Sequence, residues 1–405
     1  MIEWSAADLL VRDTIRSFVD KEIRPHVDEL EHGDLPPYPI IRKLFGSFGL
    51  DAMARDSFAA TMAKARDGEK VSGGGMLGGG SGAEALSMIA ITELCRVSPG
   101  IVGALGVSLG LAAGTIMARG TVEQRERWAL DLLTFDKVGA WAITEPGSGS
   151  DAFGGMAATV RRDGDDYVLN GQKTFITNGP HADTLVVYAK LADDSDGSPV
   201  RDRPVLTFVL DAGMPGLTQS KPLRKMGFHS SPTGELFFTD VRLGPDRLLG
   251  ETTGGRESAR DNFATERVGV AAMSLGIIEE CLALCVEYAR TRTLWEKPIG
   301  DFQLIQLKLA EMEVARLNVQ NLVFRTIETL RDGRSPSLAE ASAMKLYSSR
   351  AATEVAMEAV QLFGGNGYMA EYRVEQLARD AKSLMIYAGS NEVQITHIAR
   401  ALLSR

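Results

Sequence analysis

The middle of this chain consists of short apolar runs separated by turn residues, and it lies between two long stretches with helical patterns. The runs are Tyr167–Leu169, Thr174–Thr177, Thr184–Ala189, Val205–Leu210 and Glu235–Thr239. Short strands between turns, with no helix among them, are typical of an antiparallel barrel or sandwich. We predict a hairpin turn at Asn170–Gly171 and a second turn at Asn178–Gly179.

Helical periodicity on both sides of this middle part predicts three domains. Apolar residues recur at helical spacing from Leu9 to Ile23. The C-terminal part contains four long helical segments, at about 258–293, 300–331, 337–363 and 370–403. We therefore predict a mainly α protein with a central antiparallel β-barrel. Its parts are an N-terminal helical domain at 1–138, a β-barrel domain at 139–250 and a C-terminal four-helix bundle at 251–405.

The charge balance argues against several kinds of partner. The chain has 44 Lys+Arg against 53 Asp+Glu, a formal net charge of −9. Nucleic acids and anionic lipids are bound by basic surfaces, so we expect neither as a partner. Three cysteines are too few for a disulfide framework, and the N-terminal residues show no signal or transit pattern. These features predict a cytoplasmic protein.

One uncharged stretch, Val97–Ala118, resembles a membrane span by length. Its five glycines dilute the hydrophobicity, so we interpret it as a buried helix and expect no membrane association. We expect Gly106, Gly110 and Gly114 to let a neighbouring helix approach closely.

Three segments carry residues suited to binding or catalysis. Thr144–Asp151 is rich in glycine and hydroxyl groups, which fits either an anion-holding loop or a plain β-turn. Glu266 lies in an apolar helical pattern, where it is either a general base or an acid favoured by the helix N-terminus. Arg292, Trp295 and Gln303 surround a helix break, as phosphate ligands or as a solvated basic end. The residues alone leave each pair of interpretations open.

Five motifs occur in one order along the chain. They are Trp141–Asp151, Lys173–Gly179, Arg292–Gln303, Gln361–Tyr368, and Arg379–Lys382 leading to Tyr387–Ser390. Together with the helix–barrel–helix layout, they resemble the acyl-CoA dehydrogenase family over nearly the whole chain.

The resemblance implies a homotetramer that binds one FAD per subunit and an acyl-CoA substrate. The implied cofactor-binding residues are Trp141, Ile143, Thr144, Gly149, Ser150, Phe175, Thr177, Arg292, Trp295, Gln303, Gln361, Gly365, Ser390 and Glu392. The implied substrate-binding residues are Ser150, Arg203, Arg267, Ala388 and Gly389.

The resemblance also bears on the catalytic base. Most relatives carry a glutamate where this chain has Ala388, and a minority carry it where this chain has Glu266. Glu266 is therefore the expected base, which takes the α-proton of the thioester while the flavin N5 accepts the β-hydride. The expected product is a trans-2-enoyl-CoA, and the expected electron acceptor is an electron-transfer flavoprotein.

Several positions depart from the family pattern. Trp295–Glu296 replaces the usual Phe-Gly, and His229 replaces a common arginine. An insertion at Asp51–Gly82, whose part Ser72–Gly82 we read as a flexible loop, is expected to remodel the acyl entrance. Two alternatives remain open: an oxidase or monooxygenase of the same fold that uses oxygen, and a flavin-free partner in a hetero-oligomer.

Overall fold

The computed structural model describes residues 3–32, 35–69, 83–192, 199–250 and 255–404, with residues 83, 255 and 257–265 described by their backbone. The N-terminal part is helical, as predicted. Its α-helices are α1 Ala6–Phe18, α2 Val27–His32, α3 Tyr38–Phe48, α4 Leu50–Arg66, α5 Ala83–Cys95, α6 Pro99–Gly106, α7 Gly114–Arg119 and α8 Val122–Leu133. Ser5 and Thr121 open α1 and α8 with capping boxes, in which each hydroxyl accepts a hydrogen bond from a backbone amide.

The middle part forms a seven-stranded sheet. Its strands are β1 Gly139–Ala142, β2 Thr159–Asp163, β3 Asp166–Thr177, β4 Thr184–Leu191, β5 Val205–Asp211, β6 Leu217–Gln219 and β7 Thr233–Leu243. The predicted antiparallel β-barrel is confirmed in part, because the sheet curls into a half-barrel but does not close. It is also mixed, since β1 and β2 both pair in parallel with β4.

The predicted hairpin turn at Asn170–Gly171 was also wrong. β3 runs without interruption through both residues, and its pairing with β7 shifts register there as a β-bulge. Gly171 has φ +136°, and a Cβ on it would lie 2.6 Å from the Cα of Ala158. The Asn-Gly pair therefore serves a bulge with close backbone approach. The turn at Asn178–Gly179 is present as predicted.

The C-terminal part is helical again. Its helices are α9 Gly255–Thr291, α10 Gln303–Arg331, α11 Leu338–Phe363, α12 Val374–Ser383 and α13 Asn391–Leu403. A two-stranded hairpin, β8 Thr293–Leu294 and β9 Lys297–Pro298, joins α9 to α10. The predicted fourth long segment at 370–403 is divided, because residues 384–390 form a loop between α12 and α13.

The segment that mimics a membrane span lies inside the protein. Two helical stretches are long and apolar enough to cross a membrane, Pro99–Arg119 and Glu266–Thr291, and most of each is buried in the fold. They are core helices of the N-terminal and C-terminal parts. The expectation for the glycine stripe was wrong, since within the described part of the chain a Cβ on Gly106 or Gly110 would meet no atom within 4 Å.

The insertion does not interrupt the helical domain at its start. Residues Leu50–Arg66 form α4, whose Phe58 and Met62 are buried in the cluster that also holds Trp128. The predicted loop at Ser72–Gly82 lies outside the described residues.

A buried charge network joins the N-terminal helices to the C-terminal ones. Glu280 on α9 is 2% exposed, and its carboxylate pairs with three arginines. The distances are 2.7 Å to Arg24, 3.0 Å to Arg96 and 3.1 Å to Arg373. One carboxylate thus ties together elements from the first and last quarters of the chain.

We expect Glu280→Ala to destabilise the protein strongly. Its removal leaves three partly buried guanidinium groups without a common counter-charge, which costs about 3 kcal/mol in free energy of unfolding. Glu287→Ala, at an exposed position of the same helix, is the matched control and should change it by less than about 0.5 kcal/mol. Denaturant unfolding measures both, and equal small effects would contradict the assigned role of the network.

Candidate active site

Glu266 lies on α9, eleven residues after the helix begins at Gly255. The field of a helix N-terminus fades within the first turn, so the helix-end interpretation of this carboxylate does not hold. Burial raises its pKa to about 7, while the charges of Arg267 and Lys345 act to lower it. The arrangement leaves a carboxylate that can take up or release a proton near neutral pH.

The loop between α12 and α13 is held by buried polar groups. Lys345 on α11 donates to the carbonyl of Gly389 at 2.8 Å, and Gln394 donates to the carbonyls of Ala388 and Gly389 at 3.1 and 2.7 Å. Arg267 reaches the Ala388 carbonyl at 3.4 Å. These bonds fix two adjacent residues in the left-handed region, at φ 56° and 78°. The loop is therefore rigidly placed by the same cations that lie near Glu266.

Arg267 does not present its charge to solvent. Its side chain is 2% exposed, and its Nη1 atom lies 3.1 Å from both the hydroxyl of Ser342 and the Nδ1 of His397. The structure thus directs this arginine toward the loop and the helices behind it. The expected contact of Arg267 with the CoA moiety stays a prediction.

An aromatic wall stands beside Glu266. The charge of Glu266 contributes to raising the pKa of Tyr387, after burial, so the two groups are close in space. The Tyr387 hydroxyl donates to the sulfur of Met273 at 3.1 Å, and its ring meets that of Phe228 edge-on at 5.9 Å. Glu266 therefore lies against an apolar surface.

A second region gathers the residues around the Thr144–Asp151 turn. The Glu145 carboxylate accepts hydrogen bonds from the amides of Ala157 and Ala158 and from the ammonium of Lys173 at 2.8 Å. Burial lowers the pKa of Lys173 to about 8, against the pull of Glu145. This buried ion pair holds the start of the turn against β3.

The turn and β3 bring several predicted cofactor residues together. The amide of Thr174 donates to the carbonyl of Thr144 at 2.9 Å, which places Thr144 beside the start of Phe175–Thr177. Phe175 is 67% exposed with φ 57°, and Gly149 has open space where a Cβ would lie. Trp141 and Ile143 lead into the same turn from β1. An accessible aromatic face beside open backbone amides fits a flat, anionic cofactor such as FAD.

The remaining predicted residues lie elsewhere on the chain. Five of them are exposed and do not join the two regions above: Arg292, Trp295, Gln303, Gln361 and Gly365. Glu392 is exposed as well, but its charge acts on Lys345, so it lies near the first region. Trp295 and Glu296 form the turn between β8 and β9 with φ 49° and 63°. Ser390 caps α13 through its hydroxyl, Ser150 is exposed, and Arg203 donates to the carbonyl of Ala192 at 3.2 Å.

Sequence reasoning missed the residues that support the site from behind. Lys345, Glu145 and Lys173 are buried charged residues, and no pattern identified them as such. A signal was available for Lys345, which stands alone as a charge among small and apolar residues from Ala341 to Ser349. A charge on the apolar face of a helix indicates a buried partner.

Comparisons with known families agree with this architecture. The N-terminal, middle and C-terminal domain families of acyl-CoA dehydrogenase match residues 75–136, 140–241 and 253–403. The short-chain specific acyl-CoA dehydrogenase of Megasphaera elsdenii is 37% identical over 95% of both chains. Subunit CarC of the caffeyl-CoA reductase–Etf complex of Acetobacterium woodii is 34% identical, over 99% of this chain and all of its own.

Solved structures give the same result. Butyryl-CoA dehydrogenase from Megasphaera elsdenii superposes with a TM-score of 0.84 at 33% identity and full coverage of both chains. A glutaryl-CoA dehydrogenase from Mycobacterium smegmatis in complex with FADH2 has a TM-score of 0.81 at 26% identity, over 99% of this chain and 96% of its own.

The three-part architecture is the acyl-CoA dehydrogenase fold, with a curled sheet between two helical domains. The chain belongs to the acyl-CoA dehydrogenase family, and it is an FAD-dependent oxidoreductase. The resemblance seen in the five sequence motifs is thereby confirmed.

We expect Lys345→Met to move the acidic limb of activity to higher pH. The substitution removes one of the two cations that lower the pKa of Glu266, so this pKa should rise above about 7. The measurement is the pH dependence of flavin reduction by an acyl-CoA. Arg350→Met, at an exposed position of the same helix, should leave the profile in place. An unchanged acidic limb in Lys345→Met would show that Lys345 does not act on Glu266.

Proposed function

We propose that the protein oxidises an acyl-CoA thioester to its trans-2-enoyl-CoA and that Glu266 is the catalytic base. The carrying observation is the pKa of Glu266 near 7, produced by burial and moderated by two cations. A base with this pKa is ionised under working conditions and still strong enough to accept a weakly acidic α-proton. Position 388, the other expected location for a base, is alanine.

The loop beside the base fits the second requirement of the reaction. Removing the α-proton places negative charge on the thioester oxygen, which needs donors aimed at it. Lys345 and Gln394 occupy the carbonyls of Ala388 and Gly389 and thereby fix the orientation of both peptide units. We assign a backbone amide of this loop to hold the thioester oxygen.

The cofactor residues follow from the accessible region around the Thr144–Asp151 turn. Trp141, Ile143, Thr144, Gly149 and Ser150 would hold FAD together with Phe175 and Thr177. Bound FAD supplies the acceptor for the β-hydride. Within the chain, the buried pair Glu145–Lys173 keeps this turn in place without contacting solvent. Ser150, Arg203, Ala388 and Gly389 remain the proposed acyl-CoA contacts.

The exposed predicted residues support an oligomer. Large apolar side chains are exposed on α10 and α11, at Leu304, Leu307, Val314, Leu317, Tyr347 and Met357. We propose a homotetramer in which Arg292, Trp295, Gln303, Gln361 and Gly365 reach the cofactor of a neighbouring subunit, and Ser390 and Glu392 contact the cofactor after the last loop.

The electron acceptor and the setting are also proposals. An electron-transfer flavoprotein is the proposed acceptor, supported by the relative that works in a complex with Etf. We propose a cytoplasmic location and the domain limits 1–138, 139–250 and 251–405.

Butyryl-CoA is the first substrate to test, because two of the similar proteins carry short-chain names.

We expect Glu266→Gln to bind FAD and butyryl-CoA and to reduce the flavin at least 100-fold more slowly, because the amide cannot accept the proton (about 10²–10⁴ for a general base). Anaerobic stopped-flow mixing followed in the visible flavin band measures the rate. Glu287→Gln, exposed on the same helix, is the control. Reduction of Glu266→Gln at the unaltered rate would overturn the assignment of the base.

In the unaltered protein, kcat/KM should increase with pH and should not fall again across the neutral range. Only ionised Glu266 accepts a proton, so kcat/KM should rise about tenfold per pH unit below pH 7 and level off above it. A profile that falls with rising pH across this range would contradict the proposal. A panel of straight and branched acyl-CoAs then defines the acyl group.

A further inference from the structure

The segment Lys225–Ser231 forms a wall loop that connects the sheet to three helical elements. Phe228 in this loop donates its amide to Asp380 of α12 at 2.6 Å, and its ring contacts Tyr387 beside the base. The Ser230 hydroxyl lies 2.6 Å from that of Ser98, next to α6. The conformation of the wall loop therefore sets the position of the aromatic wall at the candidate active site.

The wall loop is strained where it meets the site. Phe228 has φ 55°, a left-handed conformation that costs a bulky residue about 1–3 kcal/mol. A Cβ on the preceding Gly227 would lie 2.7 Å from both the carbonyl carbon of Arg379 and a carboxylate oxygen of Asp380. Such a conformation persists only when neighbouring groups hold it.

His229 supplies one of these restraints through both ring nitrogens. Nδ1 lies 2.5 Å from the backbone oxygen of Glu31 on α2, and Nε2 lies 2.7 Å from the backbone oxygen of Lys225. Both partners are carbonyl oxygens, which only accept hydrogen bonds. A neutral imidazole has one N–H and would face the second carbonyl with a lone pair. The geometry is satisfied when both nitrogens carry protons.

A buried counter-charge stands beside the ring. The Glu31 side chain is 3% exposed, and within the described part of the chain both of its carboxylate oxygens lack a hydrogen-bond partner. One of them lies 3.7 Å from Nδ1 of His229. Burial raises the pKa of Glu31, and the charges of His229, Arg379 and Lys225 oppose this shift.

The other charged groups around the ring are already engaged. Arg379 pairs with Glu375 at 2.7 Å and donates to the Met226 carbonyl at 2.9 Å. Lys225 donates to the Ser231 carbonyl and to the Thr233 hydroxyl. Asp380 accepts from Phe228, as above, and from Gln376 at 3.2 Å. The His229 ring lies within ion-pair distance of the Glu31 carboxylate, and as an imidazolium it adds its charge to those of Arg379 and Lys225.

We propose that His229 is held as the imidazolium and is a positioning residue, which fixes the wall loop and with it Phe228 against Tyr387. Loss of a ring proton breaks either the bond that ties the wall loop to α2 or the bond that closes the loop onto the Lys225 carbonyl, and it removes the charge facing Glu31. The wall then loosens and substrate binding weakens. The kinetic part of this inference rests on the proposed function, and the protonation part does not.

The first test observes the ring directly in the full-length protein with FAD bound. The chain has five histidines, so selective isotope labelling gives few imidazole signals, and the one missing from His229→Gln belongs to His229. We expect that ring to remain doubly protonated at pH 7.5, where a free imidazole is mostly neutral. A neutral ring with a single N–H at pH 7.5 would overturn the proposal.

The second test separates position from charge. At pH 7.5 we expect His229→Gln to raise the KM for butyryl-CoA roughly tenfold while the flavin reduction rate at saturation changes less than about twofold. His229→Arg, a permanent cation with several donors, should restore most of the KM and keep it constant up to pH 9. His26→Gln, at an exposed histidine paired with Glu29, is the control.

The outcomes of the second test are distinguishable from failure of the proposed function. If the unaltered protein turns over no acyl-CoA, thermal unfolding replaces KM, and His229→Gln should lower Tm at pH 6.5 more than at pH 9. The Tm decrease is larger at the lower pH because the stability that a protonated ring contributes is lost as pH rises. Equal Tm differences at both pH values, or a pH-independent KM that His229→Arg does not restore, would overturn the positioning role.

Discussion

The candidate active site depends on two cations that have been taken out of water. Arg267 and Lys345 are both almost fully buried, and they lie near one carboxylate, Glu266. Burying a charge is costly unless hydrogen bonds and counter-charges compensate for it. Here the compensation comes from the carbonyls of Ala388 and Gly389, so the same contacts that make the buried cations tolerable also fix the loop at the site.

This constraint explains why the fold needs all three parts. The proposed base comes from α9, the ammonium from α11 and the loop from the α12–α13 connection, so the C-terminal helices must pack in one register. The curled sheet contributes the Thr144–Asp151 turn, which the buried pair Glu145–Lys173 holds. Glu280 and its arginines join the N-terminal helices to this frame. The site is thus assembled from contacts distant in sequence.

The sequence predicted those features that depend on local pattern. Helical periodicity located α9 to α11, and the five motifs identified the family and singled out Glu266. Sequence patterns gave wrong predictions where tertiary contacts determine the local structure. Asn170–Gly171 has hairpin chemistry, yet a close approach of Ala158 makes it a bulge inside β3. Closure of the sheet depends on strand pairing, and the parallel partners of β4 are not readable from alternation alone. Buried ion pairs such as Glu145–Lys173 have no signature in spacing.

The central claim is that Glu266 exchanges a proton with the α-carbon of a bound thioester. The most direct measurement is solvent exchange at this carbon: butyryl-CoA is incubated with the holoenzyme, previously reduced so that no hydride can be transferred, in deuterium oxide near pH 8. The account predicts that deuterium enters the α-carbon with the unaltered protein and not with Glu266→Gln. Exchange that persists in Glu266→Gln would contradict the account and would place the base elsewhere in the site.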